Sequence, residues 1–186
     1  MGKYQVLVLF GPSGAGKSTI MHHLMEKYPG KFSFSISHTT RKPRGKEQNG
    51  VDYYFIEEEE MKKMIEENKF IEHAHVHTAF YGTSKMEIER IAKNNQIAIL
   101  DIDLQGSRQI RGKVAAFFLF IAPPSMEILE QRLRLRGTET EEQVQVRLKN
   151  ALIEMEGEKE ADAVVVNNVF TEGYGKIDET IEKNLF

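Results

Sequence analysis

The sequence contains no cysteine. That excludes a disulfide framework and thiolate chemistry, and it fits a reducing compartment. No apolar run approaches the roughly 20 residues that a bilayer-spanning helix needs. There is no strong excess of either charge: the formal net charge is -3, so no global field draws the chain to nucleic acid or acidic membrane. The opening MGKYQVLVLF lacks a signal-peptide layout, because its apolar run leads into glycine-rich sequence without a small-residue cleavage site. Val6 stands where a myristoylation motif wants Ser or Thr. Repeats and low-complexity linkers are also missing. The expectation is a cytoplasmic protein with small-molecule ligands, no nucleic acid, no membrane and no obligate protein partner.

What is present suits one domain with insertions. The chain has 186 residues, of which 40% are hydrophobic and 28% charged, enough for a packed core under an ordinary polar surface. Short continuous apolar runs at 6–10, 97–100, 117–121 and 163–166 read as strands buried on both faces. Helical spacing covers 17–28, 104–111, 125–135, 140–157 and 174–184. This alternation predicts an α/β fold with a parallel sheet wrapped by helices. Two segments break the rhythm. Residues 35–85 are polar and turn-rich, with YYFI and FIEHAHV as short strands around a helix at 59–68, and read as an inserted lobe. EEEE (57–60) there complements a helix dipole rather than forming a binding patch. RGTETEEQ (136–143) is a polar loop in which Thr140 and Gln143 have capping-box spacing.

GPSGAGKST (11–19) follows the first strand and opens the first helix. Gly11, Gly14 and Gly16 let backbone N–H groups converge on phosphate oxygens, Lys17 reaches the β/γ-phosphates, and Ser18 is placed to ligate Mg²⁺. The helix start adds its positive end. This phosphate loop, or P-loop, does not name the acceptor. DLQG (103–106) matches a GTPase D-x-x-G pattern, yet no N-K-x-D follows to read guanine in that manner. In SHTTRKPR (37–44), Arg41 and Arg44 make a fork suited to a phosphate monoester, stiffened by Pro43, with Tyr53 and Tyr81 further on. Guanine offers N1–H and N2–H donors and an O6 acceptor. Glu72 and Asp103 supply carboxylates for the donors, and Ser37 and Thr83 supply hydroxyls, whereas adenine would leave such carboxylates unpaired.

SISHTTRKPR, NGVDYYF, FIEHA, YGTSK, ILDIDLQG, IAPPS, RLRLRGTETEE and VVVNN, in this order along nearly the whole chain, resemble the guanylate kinases of the P-loop nucleoside monophosphate kinases. The resemblance implies a three-layer P-loop sandwich with a core of 1–34, 86–135 and 148–186, a GMP-binding lobe at 35–85 and a mobile lid at 136–147. It implies transfer of the γ-phosphoryl of ATP to GMP, giving ADP and GDP in purine nucleotide metabolism, with Mg²⁺ as cofactor. ATP would be bound by Gly11, Pro12, Ser13, Gly14, Ala15, Gly16, Lys17, Ser18, Thr19, Arg132 and Arg136. Guanine would be held by Ser37, Glu72, Thr83 and Asp103, and the GMP phosphate by Arg41, Arg44, Tyr53 and Tyr81, with Gly82 and Asp101 in the same pocket. Ser18 would ligate Mg²⁺ directly and Asp101 through water. Lys17, Arg41, Arg136 and Arg147 would be catalytic, acting by charge placement without a general base.

Some residues take plainer readings. Arg134 is an exposed helix arginine, and His73, His75 and His77 alternate along a strand without completing a metal site. Three departures from the family pattern stand out: Lys46 where glycine is usual, Thr78-Ala79-Phe80 before Tyr81, and Asn168 where an acid is common. Related domains also serve as phosphopeptide-binding modules, often with a degraded phosphate loop; here Gly16, Lys17 and Ser18 are intact.

Overall fold

The computed structural model describes residues 3–76, 78–135, 140–168 and 172–186. The run Val6–Phe10 forms β1, and all five of its residues are buried. It lies at the centre of a parallel five-stranded sheet, between β7 (Ile97–Asp101) and β8 (Ala116–Ala122), with β2 (Phe32–Phe34) and β9 (Ala163–Val166) at the edges. The period-2 pleat sends alternate β1 residues to opposite faces. Leu7 and Leu9 pack with Ile20 and Leu24 of α1 (Lys17–Lys27) and with Ile177 and Ile181 of α7 (Gly175–Leu185). Val6, Val8 and Phe10 pack with Ile88 and Ile91 of α3 (Lys85–Lys93) and with Leu104 and Ile110 of α4 (Leu104–Ile110). These are the three layers of the α/β sandwich.

A second sheet has the order β4-β3-β6-β5, built from β3 (His38–Thr39), β4 (Tyr54–Phe55), β5 (Phe70–Val76) and β6 (Ala79–Ser84). The helix α2 (Glu58–Glu66) begins with Glu58, Glu59 and Glu60 in its first turn, where acids complement the dipole. A third apolar cluster joins α5 (Met126–Leu135) to α6 (Glu141–Met155) through Leu129, Leu133, Val144 and Ala151. Thr140 and Gln143 form the capping box that their spacing predicts.

The structure departs from the sequence expectations in four elements. Strands β2, β3 and β6 and helix α3 were not anticipated. AFYGTS carries Gly82 and small polar residues that read as turn, yet Gly82 is needed in the strand: a Cβ there would lie 2.9 Å from the Phe70 ring. Helix α3 opens on Ser84, whose side chain accepts from the Glu87 N–H, a Ser-x-x-Glu signal present in the sequence. YYFI pairs with β3 only through Tyr54 and Phe55, because β3 is two residues long, and Tyr53 forms an isolated bridge with Asn49. The helix expected over 140–157 is α-helical to Met155 and continues as a 3-10 helix over Glu156–Glu160. His73 and His75 are strand residues of β5, while His77 lies outside the described residues.

Candidate active site

In an open parallel sheet, ligands bind at the carboxyl ends of the strands, where the strand order reverses. Here β1 has β7 on one side and β8 on the other, and the loop after β1 is the glycine-rich one. Gly11 has φ 131, and a Cβ on it would come within 2.4 Å of the Ile121 carbonyl oxygen. Gly16 has φ 93, and its Cβ would meet Asn167 Nδ2 at 2.1 Å. Neither position accepts a side chain. Helix α1 then starts without a side-chain cap, which leaves its first N–H groups for an anion.

Lys17 folds back over the loop. Its Nζ donates to Gly11 O at 2.8 Å and Pro12 O at 3.4 Å, and lies 3.7 Å from Asp101 Oδ1. The Ser18 hydroxyl donates to Asp101 Oδ2 at 3.5 Å. Surrounding protein raises the Asp101 pKa, the Lys17 charge opposes the rise, and the carboxylate still reaches solvent. Ser13 is touched twice from α6. Its hydroxyl accepts from Arg147 Nη1 at 2.7 Å, and its N–H donates to Glu154 Oε2 at 3.4 Å. Arg132 donates to Ala15 O at 3.4 Å and Asn167 O at 3.0 Å, so it faces the loop, while burial lowers its pKa. Arg134 faces away and pairs with Glu130 and Glu141. Arg136 lies outside the described residues.

A second group of the expected residues converges on the smaller sheet. Glu72 is 7% exposed and accepts from the Thr83 hydroxyl at 2.6 Å across the β5–β6 ladder. Burial raises its pKa; Thr83 opposes the rise and the Asp103 charge adds to it. Asp103 N-caps α4, accepting from Gly106 N–H at 2.7 Å. A Cβ on Gly106 would stand 3.3 Å from Asp103 Oδ1 and 3.4 Å from Glu72 Oε2, so this glycine lies between the two carboxylates. DLQG is thus a helix cap beside an acidic pair rather than a GTPase switch.

Arg41 donates through Nη1 and Nη2 to the two oxygens of Glu47, each at 2.9 Å. Its guanidinium carbon lies 5.3 Å from the centre of the Tyr53 ring, which meets the Tyr81 ring edge-to-face at 6.1 Å. The Glu47 carboxylate raises the Arg41 pKa. Ser37 lies just before β3 and accepts through its backbone carbonyl from Tyr54 N–H at 2.9 Å. Arg44 belongs to the turn that ends at Glu47. No hydrogen bond or ion pair among the described residues joins Arg41 or Arg44 to the P-loop. Magnesium prefers oxygen ligands and keeps several waters. Ser18 and Asp101 are an oxygen pair of that kind. Among the described residues no three His, Cys, Asp or Glu are grouped to hold a metal alone, so such an ion would draw most ligands from phosphates and water. No described helix is long and apolar enough to cross a membrane.

Sequence reasoning missed four contributors. Asn167, 3% exposed, donates to Ala15 O at 2.6 Å; its place just after β9, at the ligand-binding end of the sheet, was the available signal. Glu154 and Glu47 had no signal beyond their charge, and the Ser-x-x-Glu spacing at Glu87 marks a helix start but not its partners. Glu87 has no exposed surface and accepts from Ile36 N–H at 2.9 Å, Tyr54 O–H at 3.3 Å and Arg90.

Comparison with known proteins agrees along the whole length. A family model described as Guanylate kinase matches residues 3–184. Human guanylate kinase is 44% identical over 183 residues, covering 96% of this chain and 93% of the human protein. Guanylate kinase 1 of Oryza sativa subsp. japonica is 52% identical over 151 residues, covering 81% of this chain, which spans only 40% of the rice protein. The crystal structure of guanylate kinase from Anaplasma phagocytophilum superposes with a TM-score of 0.71 at 31% identity, covering 97% of this chain and 86% of that one. The chain therefore belongs to the guanylate kinase family.

Proposed function

We infer that this chain phosphorylates GMP with ATP, releasing GDP and ADP, and that the two residue groups on either side of the cleft divide the substrates between them. The carrying observation is the pair of carboxylates around Gly106, buried Glu72 and solvent-facing Asp103, with the Thr83 hydroxyl on Glu72. Two carboxylates in one pocket suit a base that donates from both N1 and N2, which guanine does and adenine does not. The P-loop, with Lys17, Arg132 and Arg147 directed at it, takes the ATP phosphates. Arg41, Arg44, Tyr53 and Tyr81 take the GMP phosphate.

Phosphoryl transfer asks for little covalent participation by protein, so positioning and charge stabilisation carry it. Lys17 leaves the Gly11 and Pro12 carbonyls for phosphate oxygens when ATP enters. Arg147, brought by α6, adds charge where the transferring group builds it up. Ser18 and Asp101 would hold magnesium, which when bound neutralises charge across the phosphate oxygens. Closure of the 35–85 lobe and the 136–147 lid over both nucleotides excludes water, so the phosphoryl group goes to GMP rather than to hydrolysis. The reaction is cytoplasmic in this reading.

The deciding experiment is a coupled ADP-release assay with Mg·ATP against GMP, dGMP, AMP, UMP and CMP. GMP should be the preferred ribonucleotide by orders of magnitude. Brisk turnover with another acceptor and none with GMP would overturn the reading.

A further inference from the structure

Arg41 presents an accounting problem that its neighbours resolve. A guanidinium carries five N–H groups. Three are occupied: Nη1 donates to Lys42 O at 2.8 Å and to Glu47 Oε2 at 2.9 Å, and Nη2 donates to Glu47 Oε1 at 2.9 Å. Glu47 therefore takes the whole end-on edge of the fork. The remaining Nε–H and second Nη2–H lie together on the side-on edge, which is itself a two-donor fork of the geometry that suits phosphate. The Tyr81 hydroxyl also contributes to the raised pKa of Arg41, after Glu47, so the GMP-lobe tyrosine lies close to the same guanidinium.

Glu47 is not a loose counterion. Its Oε2 also accepts from Arg44 N–H at 2.7 Å, and its own N–H donates back to Arg44 O at 3.0 Å, closing a turn through Gly45 at φ 56. The side chains of Arg41 and Glu47 are 14% and 25% exposed. Rings of Tyr53 and Phe55 flank the guanidinium, at 5.3 and 5.8 Å from its carbon. An incoming phosphate that displaced Glu47 would break a bidentate charged pair and also strip the acceptor from Arg44 N–H. Binding on the side edge costs neither, and asks at most that the Tyr81 hydroxyl bonded to this guanidinium give way to or share the phosphate.

We propose that Glu47 is a positioning residue for the acceptor phosphate: it clamps the end-on edge of Arg41 and ties it to the Arg44 turn, so that the side-on edge is presented to the phosphate of GMP. This rests on the reading of Arg41 as a phosphate ligand. Glu47 itself touches no substrate. Its charge is already neutralised by the pair, so the clamp orders the arginine without repelling the phosphate strongly.

The test uses the full chain with Glu47→Gln, Arg41→Ala and the double variant, each first shown by circular dichroism and thermal melting to be folded. Measured are KM for GMP, KM for ATP, and the inhibition constant of guanosine, which carries the base but no phosphate. Glu47→Gln should raise KM for GMP about tenfold, the scale of one lost well-oriented charge-assisted contact. KM for ATP and the guanosine constant should stay within about twofold, since neither reports on an arginine edge. The double variant should be no worse than Arg41→Ala alone, because Glu47 acts only through Arg41. An unchanged or lowered KM for GMP in Glu47→Gln overturns the proposal, the latter because it marks Glu47 as a competitor that the phosphate displaces. A parallel rise in the guanosine constant also overturns it, as a general disturbance of the lobe. If Arg41→Ala leaves KM for GMP unchanged, the phosphate reading of Arg41 itself fails, a result separate from any effect of Glu47.

Discussion

The Lys17 ammonium lies 3.7 Å from the Asp101 carboxylate but only 2.8 Å from the carbonyl oxygen of Gly11. It is therefore held by its own loop, with the acid as a secondary partner. Exchanging carbonyls for phosphate oxygens gives this lysine stronger, charge-assisted contacts. Lys17→Ala should lower kcat by about 10²-fold or more, the scale of one lost preorganised donor. The loop glycines and the β1 core do not depend on the ammonium, so the far-ultraviolet spectrum and melting temperature should change little. Turnover near that of the parent protein would remove Lys17 from the mechanism.

Under the proposed function, Glu72 links substrate choice to stability. Burial holds its pKa above the ordinary carboxylate value, so between the unfolded and folded pKa the native state binds more protons than the unfolded state. Its contribution therefore falls as pH rises through that window, and the full cost of the buried charge is present above the folded pKa. Glu72→Gln removes the charge and keeps an oxygen for the Thr83 hydroxyl. The ligand-free variant should melt higher at pH 7, by about 2–4 °C for each kcal/mol relieved in a chain of this size. It should also lose far more in KM for GMP than in KM for ATP. Equal losses for both nucleotides would show that Glu72 does not read the base. In the parent protein, GMP affinity should rise with pH through the acid range as the carboxylate ionises.

Glu87 behaves in the opposite sense. Burial pushes its pKa up, but Arg90, the Ile36 N–H and Tyr54 outweigh burial and bring it below the ordinary value. A depressed carboxylate stabilises the native state above the unfolded pKa, and that contribution is lost as pH falls through the folded pKa. Glu87→Ala leaves the Ile36 N–H without its acceptor, at a cost of about 2 kcal/mol or more. Urea unfolding at pH 7 should show it as a lower midpoint with an unchanged slope. At a pH below the folded pKa the gap between variant and parent should narrow, and a gap that widens there contradicts this account.

Asn167 and Gly16 are complementary in shape. Asn167→Ala removes the 2.6 Å bond to Ala15 O, and Gly16→Ala drives a Cβ against Asn167 Nδ2 in a left-handed backbone conformation. Both should weaken ATP binding at least several-fold in isothermal titration, Gly16→Ala more severely, while GMP binding is retained. Loss of GMP binding in step with ATP would indicate collapse of the fold rather than of the loop.

The central layer was legible because it is periodic. The runs at 6–10, 97–100, 117–121 and 163–166 all became strands, since a strand buried on both faces needs continuous apolar sequence. The glycine loop was legible because its backbone angles forbid other residues. The smaller sheet was harder. Two-residue strands such as β3 and β4 carry no period, and β6 contains a glycine demanded by the Phe70 ring of its neighbour, information that sits a dozen positions away. Helix α3 is amphipathic and capped, but it begins directly at the end of β6, where the polar lobe meets the core, and no element was expected there. The contacts of Glu154 and Asn167, and those of Glu87 with Ile36 and Tyr54, depend on tertiary placement, and a lone acid or amide in sequence does not announce which group it will meet; those of Glu47 lie within one short turn that carries no period.

The bond from Asn167 to the Ala15 carbonyl spans 152 positions. The proposed ATP cradle is thus begun by the glycine loop and completed by a residue 152 positions later. During synthesis the glycine loop leaves the ribosome long before β9 exists to steady it, and closing so long a span is slow compared with forming local turns. High-affinity nucleotide capture should accordingly appear late in maturation, which would make ATP retention a built-in reporter that the nascent polypeptide has completed its sheet.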